Sequence, residues 1–361
     1  MKMPRFAPYL GIVAALATGV LIAIFSGGTT VVHAPVIFTI PAVSSVSSTQ
    51  EVSVPAPEKN TPPQQAPVSA PVAPTPPAGE TAAEINAKLD ISAALLRGAL
   101  VNIICTVPAG SGLHSISGSG IVIDSKGIIL TNAHIAQYFL LADKNVSCTI
   151  RTGSPARDSY HAALIYISPA WLRANPNVLT QTNPFGTGEY DFAFLAVSES
   201  AVSSPLPSSF PYLPLATMPP AVGAPVVIAS YGAQFLESSQ VQSELSPTIV
   251  FGSVKDVFTF SVHTIDVLAL GGSAAAQEGS SGGGVADVSN MLVGTITTST
   301  ITGTTDTRAL DAITAYYIRA EYATETGEPL EFLLAKSPAT AIADFASQIP
   351  ALEAIITANL P

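Results

Sequence analysis

The chain has 361 residues, 48% of them hydrophobic and only 11% charged, which is material for one large or two small cores and excludes a wholly disordered protein. Its formal net charge of −11, with 14 Lys and Arg scattered along it, argues against nucleic acid as a partner, because phosphate binding needs clustered cations.

Residues 9–25 run for 17 positions without a charge, behind Lys2 and Arg5. As a helix this run covers roughly 26 Å, the short end of a membrane span, and the flanking positive charges put the N-terminus in the cytoplasm and the rest outside. A cleaved signal peptide is the rival reading. Val32-His33-Ala34 has the small-residue pattern of a cleavage site, but Pro35 follows it directly and the apolar run is long for a signal core. An uncleaved single-pass anchor within residues 1–28 is preferred, with everything beyond it in the periplasm or at the cell surface. Residues 29–80 are a linker. Within 35–78, 11 of 44 residues are proline and three are charged, a composition that prefers extended, polyproline-like backbone and buries no core. Such a tract reaches on the order of 100 Å from the bilayer; a docking tract for a proline-reading module is the alternative.

Thr81-Ala82-Ala83-Glu84 is a capping-box pattern, and Ile85, Leu89, Leu95 and Leu96 draw an apolar face through about Arg97, predicting one helix packed on the strand-rich region beyond it. From residue 99 the pattern turns β-branched. It predicts strands over 99–106, 118–124, 127–131, 146–151, 162–167 and 191–197, enough for one barrel. A second group over 225–230, 248–257, 261–268, 291–298 and 312–318 suffices for another. After 318 the chain reads as helical over 329–335, and again from Ser337, a cap followed by Pro338 at the first helical position, to Leu360, with Pro350 as a break.

Three residues carry the chemistry. Ser281 lies in Gly279-Ser280-Ser281-Gly282-Gly283-Gly284, where glycines on both sides permit a sharp turn and let a substrate carbonyl approach the backbone N–H groups of Gly279 and Ser281. Alone, this glycine-rich run reads equally as a flexible loop, so the serine matters only if a base and an acid exist elsewhere. His134 ends Leu130-Thr131-Asn132-Ala133-His134, just after an apolar run, at a strand end. Asp191 opens Asp191-Phe192-Ala193-Phe194-Leu195-Ala196-Val197, an acid set against an apolar strand, which is costly without a partner such as an imidazole. In the usual division of labour Ser281 attacks a carbonyl, His134 takes and returns the proton, and Asp191 fixes the imidazole tautomer.

At these residues the chain resembles the chymotrypsin-fold (trypsin-like) serine peptidases and, in local motifs, the bacterial high-temperature-requirement type. Gly118-Ser119-Gly120-Ile121-Val122-Ile123-Asp124 followed by Gly127-Ile128-Ile129-Leu130-Thr131-Asn132-Ala133-His134 looks like that family's "GSG-strand, G-strand, TNAH" segment. Asp191-Phe192-Ala193-Phe194-Leu195 looks like its D-L-A-x-L strand, and the turn at Ser281 like its G-N/D-S-G-G-P. Weaker echoes are Gly223 to Gly232, Thr264-Ile265-Asp266 and Gly294-Thr295-Ile296-Thr297, so the resemblance spans about residues 100–318 in the order His, Asp, Ser.

The resemblance implies an all-β fold of two six-stranded antiparallel barrels with flanking helices, spanning residues 81–330, with the triad in the cleft between them; the helical segment over 331–361 rests on the cap and proline pattern above. It implies a serine endopeptidase acting on proteins or peptides without cofactor or metal. Its specificity pocket would be walled by Ala275, Ala276, Thr297 and Thr298, which favours an apolar side chain before the scissile bond; Glu278, near the rim, would favour a cation instead. The residues after the last strand are too few for a PDZ domain, so none is expected. There are two departures. Ser280 stands where the family has Asp or Asn, so activation by pairing a freed N-terminus with that acid is not available, and Gly284 replaces the usual proline.

Cys105 and Cys148 fall on the proposed first and fourth strands, which are neighbours when such a barrel closes. Outside the cytoplasm a disulfide is expected, with two buried thiols as the alternative. Asn145-Val146-Ser147 fits a glycosylation sequon of little weight. His33, His114, His161 and His263 have no companion at metal-ligand spacing. The competing function is a surface binding module that keeps the fold without hydrolysis. An α/β hydrolase is disfavoured because there the acid and base follow the serine, whereas here both precede it.

Overall fold

The computed structural model describes residues 80–181, 186–260, 264–299, 304, 307–358 and 360. The apolar run at 9–25 and the proline-rich linker lie outside them, and among the described residues no single helix is long and apolar enough to cross a membrane.

Thr81 caps the helix Ala82–Ala99 through a complete capping box with Glu84. Leu89, Ser92, Leu96 and Ala99 are its buried face, whereas Leu95, expected on that face, is 42% exposed. The Ser92 hydroxyl donates to Asp287 O and to Asn290 Oδ1, at 2.7 and 2.8 Å, which ties the helix to a turn almost 200 residues away.

Six strands follow: β1 (Leu100–Thr106), β2 (Ile116–Asp124), β3 (Ile128–Thr131), β4 (Ser147–Gly153), β5 (Ala156–Ile167) and β6 (Ala193–Ser200). They pair antiparallel in the order β1-β2-β3-β6-β5-β4 and close into a barrel, which leaves no free edge. All four residues of β3, and residues 193–197 of β6, are buried, which is why both read as unbroken apolar runs. Their register decides the placement of the chemistry. Thr131 lies opposite Ala193, so the C-terminal end of β3 meets the N-terminal end of β6.

β1 also pairs with β4, with Cys105 opposite Cys148, and the two are joined in a disulfide. The bridge closes a 43-residue separation, for which chain-entropy arguments give about 4 kcal/mol. Replacing both cysteines by alanine is expected to lower the unfolding free energy by about 2–5 kcal/mol in denaturant titration.

The second sheet contains β7 (Pro225–Ser230), β8 (Thr248–Ser253), β9 (Asp256–Phe258), β10 (Val267–Ala269), β11 (Gly284–Asp287), β12 (Leu292–Ser299) and β13 (Leu310–Thr314), in the order β8-β7-β11-β12-β13-β10-β9. It is a half-barrel of seven strands, not the second closed barrel of six that was expected. The segment predicted as one strand over 248–257 breaks at Val254 and Lys255, whose N–H groups donate to Ala224 O and Ala269 O. Its first half therefore pairs with β7 and its second with β10, so a bend in the chain joins the two edges where a ladder would otherwise close them. The strand expected over 312–318 stops at Thr314, whose side chain accepts from Tyr317 N and starts the helix Ala315–Thr326.

That helix returns to the barrel. Tyr322 packs edge-on against Tyr166 at 4.8 Å and against Phe194 at 5.9 Å, while Glu325 accepts from the Tyr166 and Ser168 hydroxyls. The helices that follow it, Leu330–Ala335, Pro338–Ala346 and Ile349–Thr357, start where Pro329, Ser337 and Pro350 suggested. The second of them packs on β5 and β6, burying Ala341 and Phe345.

Candidate active site

His134 and Asp191 arrive together because of the β3–β6 register: one lies just past the end of β3 and the other just before the start of β6. The Asp191 side chain is 7% exposed and accepts three hydrogen bonds. His134 N–H donates to Oδ1 at 2.9 Å, His134 Nδ1 lies 2.8 Å from Oδ2, and the Thr297 hydroxyl donates to Oδ2 at 2.8 Å. Three converging donors suit a carboxylate, which only accepts, and they place the ring proton on Nδ1. The lone pair of the neutral imidazole is then on Nε2, on a ring still 23% exposed. Asp191 is held in turn by its backbone: Asn132 Nδ2 donates to Asp191 O at 2.8 Å, and Tyr190 N donates to the Tyr317 phenol oxygen at 3.0 Å. Burial pushes that phenol well above the usual tyrosine value, so it stays neutral.

The Ser281 turn is built from alternating peptides. The Glu278 carbonyl accepts from Ala233 N at 2.7 Å, so the N–H on the other side of that peptide, that of Gly279, points away from Ala233. The next peptide is held at both ends: Gly279 O accepts from the Ser119 hydroxyl at 2.8 Å, and Ser280 N donates to Gln277 O at 3.1 Å. In the third, Ser280 O accepts from Gly283 N at 2.9 Å, which turns the Ser281 N–H outward. Among the described residues, the N–H groups of Gly279 and Ser281 donate to no protein acceptor. Two unused donors with one residue between them, the second on the half-buried Ser281 itself, are the arrangement an oxyanion requires.

Gly279 adopts φ +88°, and a Cβ there would lie 2.7 Å from Tyr231 O. Gly282 is tighter still. It has φ +82°, and a Cβ would lie 1.9 Å from Ser119 O and 2.6 Å from the Thr131 hydroxyl. The turn thus lies against Thr131, three residues before His134, and Ser119 N donates to Ser281 O at 2.8 Å. Gly282 N donates to Ile296 O, immediately before Thr297 and its bond to Asp191, so β12 links the turn to the acid. Ser280, in the family's acidic position, is buried, and its hydroxyl accepts from that of Ser230 at 3.2 Å. Gly284 opens β11, opposite Ala229 and Thr295.

Residues 118–294 match the family model described as a trypsin-like peptidase domain. The chain carries a trypsin-like peptidase domain. It is a serine peptidase, and so a hydrolase. Solved structures similar to it include the Rv3671c protease in its inactive form, with a TM-score of 0.42 and 19% identity over 69% of this chain and 98% of that one. The Rv3671c protease from M. tuberculosis in its active form is also similar, with a TM-score of 0.41 and 21% identity over 73% of this chain and 96% of that one. No curated protein matches in sequence.

In the trypsin-like domain Ala275 and Ala276 are fully buried, and Glu278 is exposed. The Thr297 hydroxyl donates to Asp191, and Thr298 follows it in β12. Sequence reasoning missed Arg308, which is 5% exposed and donates to Ala276 O at 2.7 Å and to Gln234 Oε1 at 2.6 Å. It also missed Ser119 and the Tyr231 to Ala233 stretch, which anchor the turn. The GSG motif marked Ser119 as part of a pattern, but its hydroxyl's partners are more than 100 residues distant in the chain. His114 contributes its carbonyl to Tyr138, and His33 and His263 lie outside the described residues.

Proposed function

We propose that Ser281, His134 and Asp191 are the catalytic triad of an endopeptidase that acts on proteins or peptides outside the cytoplasm, held to the membrane by residues 9–25. The observation that carries this reading is the pair of unused N–H groups at Gly279 and Ser281 beside a hydroxyl, in a turn packed against the segment that presents an Asp-bound imidazole. Ser281 Oγ attacks the scissile carbonyl carbon as His134 Nε2 takes its proton. The oxyanion accepts from Gly279 and Ser281 N–H, and the imidazolium is stabilised by Asp191. His134 then gives the proton to the leaving amine, and water repeats the sequence to free the acyl group and restore Ser281. The buried Ala275 and Ala276 support a preference for an apolar side chain before the scissile bond. The positions of Ser280 and Ser230 support activity without zymogen cleavage, since the buried site holds a hydroxyl pair where an ion pair would otherwise form.

A fluorophosphonate probe tests the reading on the full chain. Covalent labelling of wild type, absent in Ser281→Ala and strongly reduced in His134→Ala, is the expected result. A folded wild-type protein that takes no label is instead the binding module.

A further inference from the structure

The anchors of the three carbonyls before Ser281 are not equivalent. Glu278 O and Ser280 O are held by backbone N–H groups, but Gly279 O, between them, is held by a side chain, the hydroxyl of Ser119. That hydroxyl is fully buried and comes from β2, in the other sheet. It also accepts from Tyr231 N at 2.9 Å, so it bridges the oxyanion glycine to the stretch whose Ala233 N holds the preceding peptide. Tyr231 is anchored at its far end, where its phenol, pushed by burial to about 12, donates to Gly153 O at 2.7 Å. We propose that Ser119 is the positioning residue of the oxyanion hole, its hydroxyl bridging Gly279 O and Tyr231 N so that the peptide after Gly279 is fixed and Ala233 N keeps its hold on Glu278 O, which aims the Gly279 N–H at the substrate.

The physical reason lies in the glycine. At φ +88° without a Cβ, Gly279 has the backbone freedom to rotate either adjoining peptide, and a peptide so rotated presents a carbonyl where the oxyanion needs a donor. The Ser119 hydroxyl opposes rotation of the second peptide directly, and that of the first through Tyr231 N and the stretch that carries Ala233. Without it, Gly279 O and Tyr231 N are both left unpaired in a buried place, and relieving them means moving the turn.

This inference rests on the triad reading above, and the experiment separates the two. Steady-state hydrolysis of a peptide substrate by Ser119→Ala is expected to show kcat lowered about 10²-fold, the size of losing one oxyanion donor, with KM and the pH dependence of kcat/KM little changed. Affinity for a peptide boronic acid, whose tetrahedral adduct places an oxygen in the hole, is expected to fall by the same factor. Affinity for the corresponding peptide carboxylate product should stay. A general loosening of the fold would move KM and product binding together with kcat. Wild-type kcat in a folded Ser119→Ala, with Ser281→Ala inactive, would overturn the role of Ser119 and leave the triad standing. Hydrolysis surviving in Ser281→Ala would remove the triad itself. Should Ser119→Ala not fold, Ser119→Cys, similar in shape with a weaker donor, carries the test: kcat and boronic acid affinity are expected to fall together, and wild-type values for both would overturn the proposal.

Discussion

Replacing Ser281 by alanine is expected to lower kcat about a millionfold, and His134→Ala to cost about as much, with the double variant no worse than either single one. The two side chains act in one step. Without the imidazole the hydroxyl keeps its proton, and without the hydroxyl the imidazole has no proton to take, so each change removes the same transition-state stabilisation. The residual rate, about 10³-fold or more over water, comes from substrate binding and the N–H groups of Gly279 and Ser281, which neither substitution touches. Steady-state kinetics on the three variants checks this. Losses that multiply in the double variant would mean that the two residues work separately. Gln137 Nε2 donates to His134 O and the helix turn starting at Ala133 is otherwise backbone-held, so His134→Ala should leave the local fold intact.

The second large effect is expected at Asp191, where asparagine should lower kcat about 10⁴-fold with little change in KM. The substitution keeps the shape and changes one atom's role. An amide oxygen can still accept from His134 N–H, but the amide nitrogen then faces His134 Nδ1 and the Thr297 hydroxyl. A donor there leaves Nδ1 as the acceptor and moves the ring proton to Nε2, where the lone pair is needed for Ser281. Nitrogen-15 chemical shifts of the imidazole in wild type and Asp191→Asn distinguish the tautomers directly. A variant that keeps its proton on Nδ1, or keeps its kcat, would contradict this account of Asp191.

Much of the architecture was legible because it is local. The capping box at Thr81, the apolar runs of β3 and β6, and the Ser337-Pro338 start of a late helix are statements about neighbouring residues, and the fold repeats them. Errors arose where a local pattern competed with a distant partner. A β-branched stretch over 248–257 reads as one strand until Val254 and Lys255 find acceptors on two different elements. The segment over 312–318 reads as strand until the Thr314 hydroxyl caps a helix. β11 was hidden in a glycine run, because its pairing with β7 and β12, not its own propensity, makes it a strand.

The site divides in the same way. By itself the amino-acid sequence determined which residues were candidates and what each one adjoins: a histidine past one apolar run, an acid before another, a serine among glycines whose backbone tolerates a tight turn. Those properties depend on covalent neighbours. Only the tertiary structure decided that Thr131 faces Ala193, that the Thr297 hydroxyl reaches the acid, and that the Ser119 hydroxyl holds the carbonyl of Gly279. Each of these is a hydrogen bond or register between segments 60 to 160 residues apart, and a one-residue slip in strand pairing would turn the same side chains to the opposite face.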